Sequence, residues 1–258
     1  MLKTGSLVSA ILSLFAFVPT SMVYAQKAPV KNIVLVHGAW VDGSGWKPVY
    51  DILVRDGYNV SIVQEPLTSY ADDVTATLRI IDMQPGPVVL VGHSYGGSVI
   101  SQAGTNSKVV SLVYVAAHMP DAGESEAADG KKLPSDLAKS TYVKSTADKF
   151  NFLDPSAFPS YFAADIPKAQ AAFEAHSQVP TAITNFGGVV TTPAWRSKPS
   201  WMIVAGADRV INPDLERWYA KRANSHTTEL VGASHSVYES RPNEVAAVIE
   251  KAAVAASK

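Results

Sequence analysis

The stretch Val88-Val89-Leu90-Val91-Gly92-His93-Ser94-Tyr95-Gly96-Gly97 joins a continuous apolar run to a Gly-x-Ser-x-Gly pentapeptide. Continuous apolarity is typical of a strand that is buried on both faces of a parallel sheet. The pentapeptide fits a sharp strand-to-helix turn, in which small residues two positions before and after the serine avoid clashes. Ser94 is therefore the candidate nucleophile. A helix is predicted to begin there, and the backbone N–H of Tyr95 at its start could bind an oxyanion.

Outward from this stretch, short β-branched runs alternate with helical patterns. Six strands are predicted, at residues 31–36, 58–63, 88–91, 109–115, 201–205 and 227–231. Helices are predicted over 46–56, from Thr68 or Ser69 to the Pro85-Gly86-Pro87 break, from Ser94 onward, and over 242–256. This alternation predicts an α/β fold with a mainly parallel sheet flanked by helices. In such sheets sites form at the carboxyl ends of the strands.

The segment between the fourth and fifth strands is far longer than a strand-to-helix loop needs. We therefore interpret residues 118–195 as a cap inserted into a core of residues 26–117 and 196–258. Helical patterns within the cap cover 135–149 and 167–176. The cap is rich in aromatic residues, and we expect Phe158, Phe162, Phe186 and Trp195 to line a substrate cavity. Any one of these rings could instead pack the cap's own core.

A serine hydroxyl needs a base, and the base needs an acid to orient it. Of the six histidines, His235 lies in a loop just after the last strand. Asp208 follows the fifth strand, so both side chains are predicted at the same edge of the sheet. The rival acid is Asp121, after the fourth strand. Asp208 is preferred because Ser, Asp, His is the chain order that accompanies a Gly-x-Ser-x-Gly turn.

The loop after the first strand, His37-Gly38-Ala39-Trp40, is the expected source of a second oxyanion donor. The backbone N–H of Ala39 is that candidate, since Gly38 allows the main chain to approach a bound carbonyl. Trp40, His93 and His118 lie near the same strand ends and are predicted to contact substrate. A lone histidine more often satisfies only local hydrogen bonds.

The composition excludes several classes of protein. The chain of 258 residues is 47% hydrophobic and 17% charged, which indicates a folded globular protein. Its 22 Lys and Arg against 23 Asp and Glu give a net charge of -1, so a nucleic-acid partner is disfavoured. Cysteine is absent, which excludes disulfides and thiolate nucleophiles. No metal-binding or nucleotide-binding motif is present, so no cofactor and no metal are expected.

Residues 1–25 have the layout of a secretory signal peptide: Lys3, an apolar run from Leu7 to Val18, and a small-residue site that ends at Ala25. The sequence therefore predicts export to the periplasm or beyond, with cleavage after Ala25. No stable membrane association is expected afterwards. An uncleaved anchor is the alternative.

Together these motifs resemble the α/β-hydrolase superfamily over nearly all of residues 30–256. Within it the chain is similar to small esterases of the plant methylesterase and hydroxynitrile lyase group. The resemblance implies a Ser94, Asp208, His235 triad, an oxyanion hole at Ala39 and Tyr95, and six strands where the wider fold has eight. Hydroxynitrile lyases of this group carry a lysine directly after the catalytic histidine, where this chain has Ser236. That difference favours hydrolysis over cyanohydrin cleavage.

The expected function is hydrolysis of small carboxylic esters through an acyl-enzyme, with apolar or aromatic groups favoured. One alternative is cofactor-free haloperoxidase, lyase or C–C hydrolase chemistry on the same triad, because fold does not decide reaction class. Another is a non-catalytic periplasmic binding protein. The only predicted partner is a small-molecule ester, and the sequence does not indicate an oligomeric state.

Overall fold

The computed structural model describes residues 30–257, together with Met1, Leu2 and Gly5. The predicted signal peptide otherwise lies outside the described residues. Residues 30–257 form nine strands: β1 (Asn32–Val36), β2 (Asn59–Ile62), β3 (Val88–Ser94), β4 (Val109–Ala117), β5 (Val143–Ser145), β6 (Phe150–Leu153), β7 (Thr181–Ala182), β8 (Ser200–Ala205) and β9 (His226–Leu230).

The same residues form nine α-helices: α1 (Lys47–Arg55), α2 (Tyr70–Asp82), α3 (Gly96–Ala103), α4 (Glu126–Gly130), α5 (Phe158–Tyr161), α6 (Lys168–His176), α7 (Pro213–Ala223), α8 (Val237–Ser240) and α9 (Pro242–Ala256). Short 3-10 turns cover Gly43–Trp46, Ile183–Gly187 and Ala194–Arg196. In the described part of the chain no helix is long and apolar enough to span a membrane.

The central sheet has six strands in the order β2-β1-β3-β4-β8-β9, and every neighbouring pair is parallel. This arrangement confirms the predicted fold class and the six predicted strands. Because β1 and β3 are buried along their whole length, their sequences are apolar without alternation. The order places β3, which carries the serine, near the middle of the sheet.

Alternate residues of the central strands enter two separate cores. On one face, Leu90 packs in a cluster with Val99 and Tyr219. On the other face, Val89 and Val91 join a cluster with Leu53 and Val245. Helices therefore cover both faces of the sheet, and the carboxyl ends of the strands remain the place where a site can form.

The cap contains more than helices. Its strands form a three-stranded antiparallel sheet in the order β5-β6-β7, which the sequence did not predict. The predicted helix over 135–149 is wrong: this stretch forms turns followed by β5. Val143 pairs with Leu153 there, and its β-branched side chain favours a strand. The helical pattern at 167–176 is confirmed as α6. The division into core and cap at residues 118 and 195 stays an interpretation.

Candidate active site

Ser94 ends β3 in a left-handed backbone conformation, with φ of 54°. Such a conformation is costly for a residue other than glycine and persists only where the surroundings hold it. The turn leaves no room for a side chain two positions before or two positions after the serine. A Cβ at Gly92 would lie 2.5 Å from the carbonyl oxygen of Gly96, and a Cβ at Gly96 would overlap the carbonyl oxygen of His37. The Gly-x-Ser-x-Gly pattern therefore follows from close backbone packing.

Asp208 and His235 form a buried hydrogen-bonded pair. The Nδ1 of His235 lies 2.5 Å from Oδ2 of Asp208, and neither side chain is exposed. The other carboxylate oxygen accepts the backbone N–H groups of Val210 and Ile211, at 2.7 and 3.0 Å. The carboxylate is thus fixed by its own loop. A hydrogen on Nδ1 donates to Asp208, which leaves Nε2 as the proton-accepting atom of the ring.

The loop of His235 adjoins the serine turn. His93, the neighbour of Ser94, donates from Nε2 to the carbonyl oxygen of His235 at 3.0 Å, and the two imidazole centroids are 4.6 Å apart. Among residues 30–257, the Nε2 of His235 has no hydrogen-bond partner. It is therefore free to accept a proton. The assignment of catalytic roles to Ser94, Asp208 and His235 stays a prediction.

Asp165 in the cap bonds to residues 234–240, the segment that carries His235. We call this segment the histidine loop. Its carboxylate accepts the backbone N–H of Ser234 at 3.0 Å, the hydroxyl of Ser240 at 2.8 Å, and the hydroxyl of Ser234. The carbonyl oxygen of Phe162 accepts the backbone N–H of Ser236 at 2.9 Å. The sequence did not single out Asp165, because its partners lie about 70 positions later in the chain and no local pattern connects them.

The two predicted oxyanion donors come from two segments of the chain that meet at Ser94, since a Cβ at Gly38, the neighbour of Ala39, would lie 2.7 Å from the Cβ of Ser94. Ala39 precedes Trp40 in the loop after β1, and Tyr95 begins the turn into α3. Neither backbone N–H donates a hydrogen bond to another described backbone group outside the regular elements. A bound carbonyl could therefore use both. Their role as an oxyanion hole stays a prediction.

The loop that carries Ala39 is fixed by buried groups. Trp40 has φ of 67°, and its backbone N–H donates to the hydroxyl of Thr181 in β7 at 3.1 Å. His37 accepts the backbone N–H of Glu65 on Nε2 at 3.0 Å and donates from Nδ1 to the carbonyl oxygen of Gly38 at 2.9 Å. Burial lowers the pKa of His37 and raises the pKa of Glu65 well above its usual value. The acceptor role of Nε2 shows that His37 is neutral, and burial favours the protonated form of Glu65.

A cavity of about 230 Å³ opens beside Ser94. A second lobe of about 390 Å³ adjoins it and shares part of its wall. The first lobe is lined by Ala39, Trp40, Ser94, His118, Glu126, Ser135, Leu137, Ala138, Val143, Asn151, Phe186 and Val210. Most of these side chains are apolar, as in pockets that bind small organic molecules.

The structure brings three of the predicted substrate-contacting residues to this cavity: Trp40, His118 and Phe186. Trp40 and Phe186 pack together with ring centroids 5.9 Å apart. Both rings belong to the wall beside Ser94.

The structure places the other four predicted substrate-contacting residues away from the wall of this cavity. Phe158 stacks on Phe162, and Phe162 contacts the ring of His235, with centroids 4.7 and 4.6 Å apart. Both are fully buried and pack the cap against the histidine loop. His93 is also fully buried and holds the backbone of His235. Trp195 donates to the carbonyl oxygen of Pro120 at 2.9 Å, away from the cavity wall.

The rival acid takes no part in this arrangement. Asp121 forms a bidentate ion pair with Arg196, whose Nε lies 2.6 Å from Oδ1. A polar residue that the sequence analysis missed is Glu126, whose side chain faces the cavity next to His118. Among the described residues, no group of three or more His, Cys, Asp or Glu side chains is arranged to hold a metal ion.

Comparison with known proteins identifies the family of this chain. The family model described as alpha/beta hydrolase family matches residues 33–248. The chain is 25% identical to methylesterase 7 of Arabidopsis thaliana over 246 residues, which is 85% of this chain and 95% of that protein. It is 34% identical to the carbendazim hydrolyzing esterase of Nocardioides sp. (strain SG-4G) over 108 residues. That match spans 36% of this chain and less than half, 45%, of that protein.

Solved structures share the fold at low sequence identity. Polyneuridine aldehyde esterase superposes with a TM-score of 0.75 at 18% identity, covering 86% of this chain and 98% of that one. A pyrethroid hydrolase superposes with a TM-score of 0.73 at 22% identity, covering 88% and 99%. Since the family model covers most of the described residues, the chain belongs to the alpha/beta hydrolase family.

Proposed function

We propose that this protein is a serine hydrolase that cleaves small carboxylic esters through an acyl-enzyme. The observation that carries the proposal is the buried Asp208–His235 pair, whose free Nε2 lies in the loop that adjoins the strained turn of Ser94. A nucleophile, a base and an orienting acid on three separate loops are the groups that acyl transfer requires.

In the proposed reaction the Oγ of Ser94 attacks the ester carbonyl while Nε2 of His235 takes the hydroxyl proton. Asp208 holds the ring and stabilises its positive charge. The N–H groups of Ala39 and Tyr95 bind the oxyanion, and one such donor is typically worth about 3 kcal/mol of barrier. His235 then returns the proton to the departing alcohol. Water hydrolyses the acyl-enzyme by the same route and releases the acid.

Two kinds of support favour esters as substrates. The proteins to which the chain is similar carry esterase names, including methylesterase 7 and polyneuridine aldehyde esterase. The cavity beside Ser94, about 230 Å³ and lined by Trp40, Leu137, Phe186 and Val210, suits a small apolar or aromatic group. A series of esters with increasing acyl length would measure the size limit of this cavity as a drop in kcat/KM.

The test is the rate of 4-nitrophenyl ester hydrolysis by Ser94→Ala. Loss of the nucleophile should lower kcat by a factor on the order of 10⁴ or more. Ser197→Ala is a matched control, because this exposed serine lies in the turn before β8 and its hydroxyl bonds only the local carbonyl of Ala194. Wild-type turnover by Ser94→Ala would contradict the proposal. A parallel panel of diketones and cyanohydrins separates hydrolysis from lyase and C–C hydrolase chemistry.

We also propose that the protein is exported and that its mature chain begins at Gln26. Support comes from the apolar run between Leu7 and Val18 and the small-residue site that ends at Ala25. N-terminal sequencing of protein recovered from the exported fraction tests this. Recovery of a chain that still begins at Met1 would contradict it.

A further inference from the structure

Two polar side chains face each other on the wall that both lobes of the cavity share: His118, after β4, and Glu126, the first residue of α4. Nε2 of His118 lies 3.7 Å from Oε1 of Glu126, which is too long for a hydrogen bond. We call them the His118–Glu126 pair. The pair belongs beside the nucleophile, because the backbone N–H of His118 donates to the carbonyl oxygen of Ser94 at 3.2 Å.

A chain of hydrogen bonds determines which nitrogen of His118 carries the hydrogen: Nδ1 donates, and Nε2 is left as an acceptor. The hydroxyl of Tyr219 donates to Asp129 at 3.0 Å, and Lys132 donates to the same carboxylate at 2.7 Å. A hydroxyl has one hydrogen, so the oxygen of Tyr219 accepts from Nδ1 of His118, 3.3 Å away. Burial lowers the pKa of His118 to about 3, so its ring is neutral. Nε2 therefore carries no hydrogen on the side of Glu126.

Glu126 supplies the matching donor. The hydroxyl of Ser98 in α3 donates to Oε2 of Glu126 at 3.4 Å. Burial raises the pKa of Glu126 to about 8, so its carboxyl group is protonated at neutral pH. A proton on Oε1, the oxygen that faces the acceptor Nε2 of His118, leaves Oε2 to accept from Ser98. The pair thus offers one donor and one acceptor. The two atoms are too far apart to bond each other.

We propose that the His118–Glu126 pair binds a hydroxyl group of the ester substrate, a specificity role that rests on the proposed ester hydrolysis. One hydroxyl oxygen can lie about 2.8 Å from both atoms of a gap this wide, accepting from Glu126 and donating to His118. An ether or ketone only accepts, and an ammonium group only donates. Each of those groups leaves one member of the pair unpaired and desolvated, which costs binding free energy.

Two other polar side chains of the lobe already accept hydrogen bonds from the protein. The hydroxyl of Ser135 accepts the backbone N–H of Ala138 at 3.1 Å, and the side-chain oxygen of Asn151 accepts the hydroxyl of Ser145 at 2.8 Å. The rest of the wall is apolar apart from Ser94 itself. The His118–Glu126 pair and the mostly apolar remainder of the wall favour an ester with an apolar or aromatic body that carries a hydroxyl group.

The test compares matched esters: methyl 3-phenylpropanoate, its three ring-hydroxylated isomers, and their methoxy counterparts, with the phenyl and hydroxyphenyl acetates to cover the alcohol side. We expect at least one hydroxylated isomer to exceed both its methoxy and its unsubstituted partner about tenfold in kcat/KM. Sites that hydrogen-bond a substrate hydroxyl discriminate at least this strongly.

Variants connect this preference to the pair. Glu126→Leu and His118→Phe should each abolish the preference while the unsubstituted ester is still cleaved. Glu126→Gln retains a donor and should retain most of it. Asn151→Leu is the matched control, a polar-to-apolar change on the same wall that should leave the ratio unchanged. Circular dichroism verifies that each variant is folded.

Calorimetry separates failure of recognition from failure of chemistry. Ser94→Ala should bind the preferred hydroxylated ester about tenfold more tightly than its methoxy counterpart. If no ester of any kind is cleaved, the proposed function fails. If the unsubstituted esters are cleaved but no hydroxylated isomer is preferred in turnover or in binding, the role of the His118–Glu126 pair is refuted. A preference that survives both Glu126→Leu and His118→Phe refutes it as well.

Discussion

At the scale of single residues, the candidate site depends on carboxyl groups that differ in burial and in the number of their hydrogen-bond partners. Asp165 accepts three hydrogen bonds from the histidine loop, and Asp208 accepts two backbone N–H groups in addition to His235. Glu65, by contrast, is buried without a hydrogen-bond partner among the described residues, and Glu126 is mostly buried and bonded only by Ser98; burial raises the pKa of each. The first two groups fix loops in place. Burial favours the protonated form of the other two, which lie beside the cavity and behind the loop that carries Ala39.

Asp165→Asn should slow catalysis by changing the position of His235. The amide keeps the size of the side chain but replaces one acceptor oxygen with a donor, so at least the hydrogen bond accepted by Oδ1 is lost, or both of those accepted by Oδ2. We expect kcat to fall roughly tenfold with KM nearly unchanged, in line with losses seen when a group that orients a functional histidine is removed. Steady-state kinetics with a 4-nitrophenyl ester checks this. A change in KM alone would show that Asp165 acts on substrate binding.

Glu126→Gln should change how stability depends on pH. The folded chain keeps the Glu126 proton up to a pKa of about 8, whereas the unfolded chain loses it near the ordinary value of 4.5. Between these values the folded state binds more protons, so the wild-type free energy of unfolding falls as pH rises. Glutamine does not titrate, so the free energy of unfolding of the variant lacks this fall with pH. Its stability relative to the wild type should increase from pH 5 to pH 8, by a few kcal/mol at most.

The groups that face Glu126 do not obscure this measurement. His118 is neutral throughout the window because burial lowers its pKa to about 3. Burial raises the pKa of Tyr70 on α2, of Tyr95 beside α3 and of Tyr219 on α7, so all three stay protonated. Urea unfolding at several pH values gives the difference directly. A stability difference that is constant between pH 5 and pH 8 would contradict a buried, neutral Glu126.

At the scale of elements, the cap is part of the candidate machinery. Its short strand β7 anchors the loop after β1 through Thr181, and the segment after α5 anchors the loop after β9 through Phe162 and Asp165. Each anchor joins a cap segment to a core loop that carries a candidate catalytic group. The cap therefore helps to position both Ala39, the proposed oxyanion donor, and His235, the proposed base.

Thr181→Val should weaken the oxyanion loop. It removes the hydroxyl that accepts the backbone N–H of Trp40 and leaves that buried donor unsatisfied, at a cost of about 1–3 kcal/mol. We expect a lower melting temperature and a severalfold lower kcat, because Ala39 precedes Trp40 in the same loop. Thr181→Ser keeps the hydroxyl and should restore both values. Equal loss of kcat in the two variants would show that the methyl group matters and the hydrogen bond does not.

At the scale of the whole molecule, local patterns predicted the sheet and most of the candidate triad. Continuous apolarity marked β3 as a buried strand, the glycines around Ser94 marked the turn, and strand order placed Asp208 and His235 at one edge. The strands of the cap were not predicted, because they depend on contacts between residues that are far apart in the sequence. The pairing of β5 with β6 was hidden in a segment with weak helical periodicity.

The same reason explains why only some of the predicted aromatic rings lie on the cavity wall. Aromatic composition indicated that rings of the cap meet the core, but it could not distinguish Phe186, on the cavity wall, from Phe162, packed behind His235. Glu126 was missed because a lone glutamate near the start of a short helix is usually solvated. Only the convergence of α3, α4 and the end of β4 makes it a buried cavity residue.

The central claim is that Ser94 is the nucleophile, and active-site labelling tests it most directly. Wild-type protein treated with a fluorophosphonate should gain one adduct by intact mass, and peptide mapping should place it on Ser94. His235→Ala should label far more slowly, because the base that activates the hydroxyl is gone. Stoichiometric labelling at Ser94 is the predicted result. A protein that hydrolyses esters yet is labelled elsewhere, or not at all, would contradict the account.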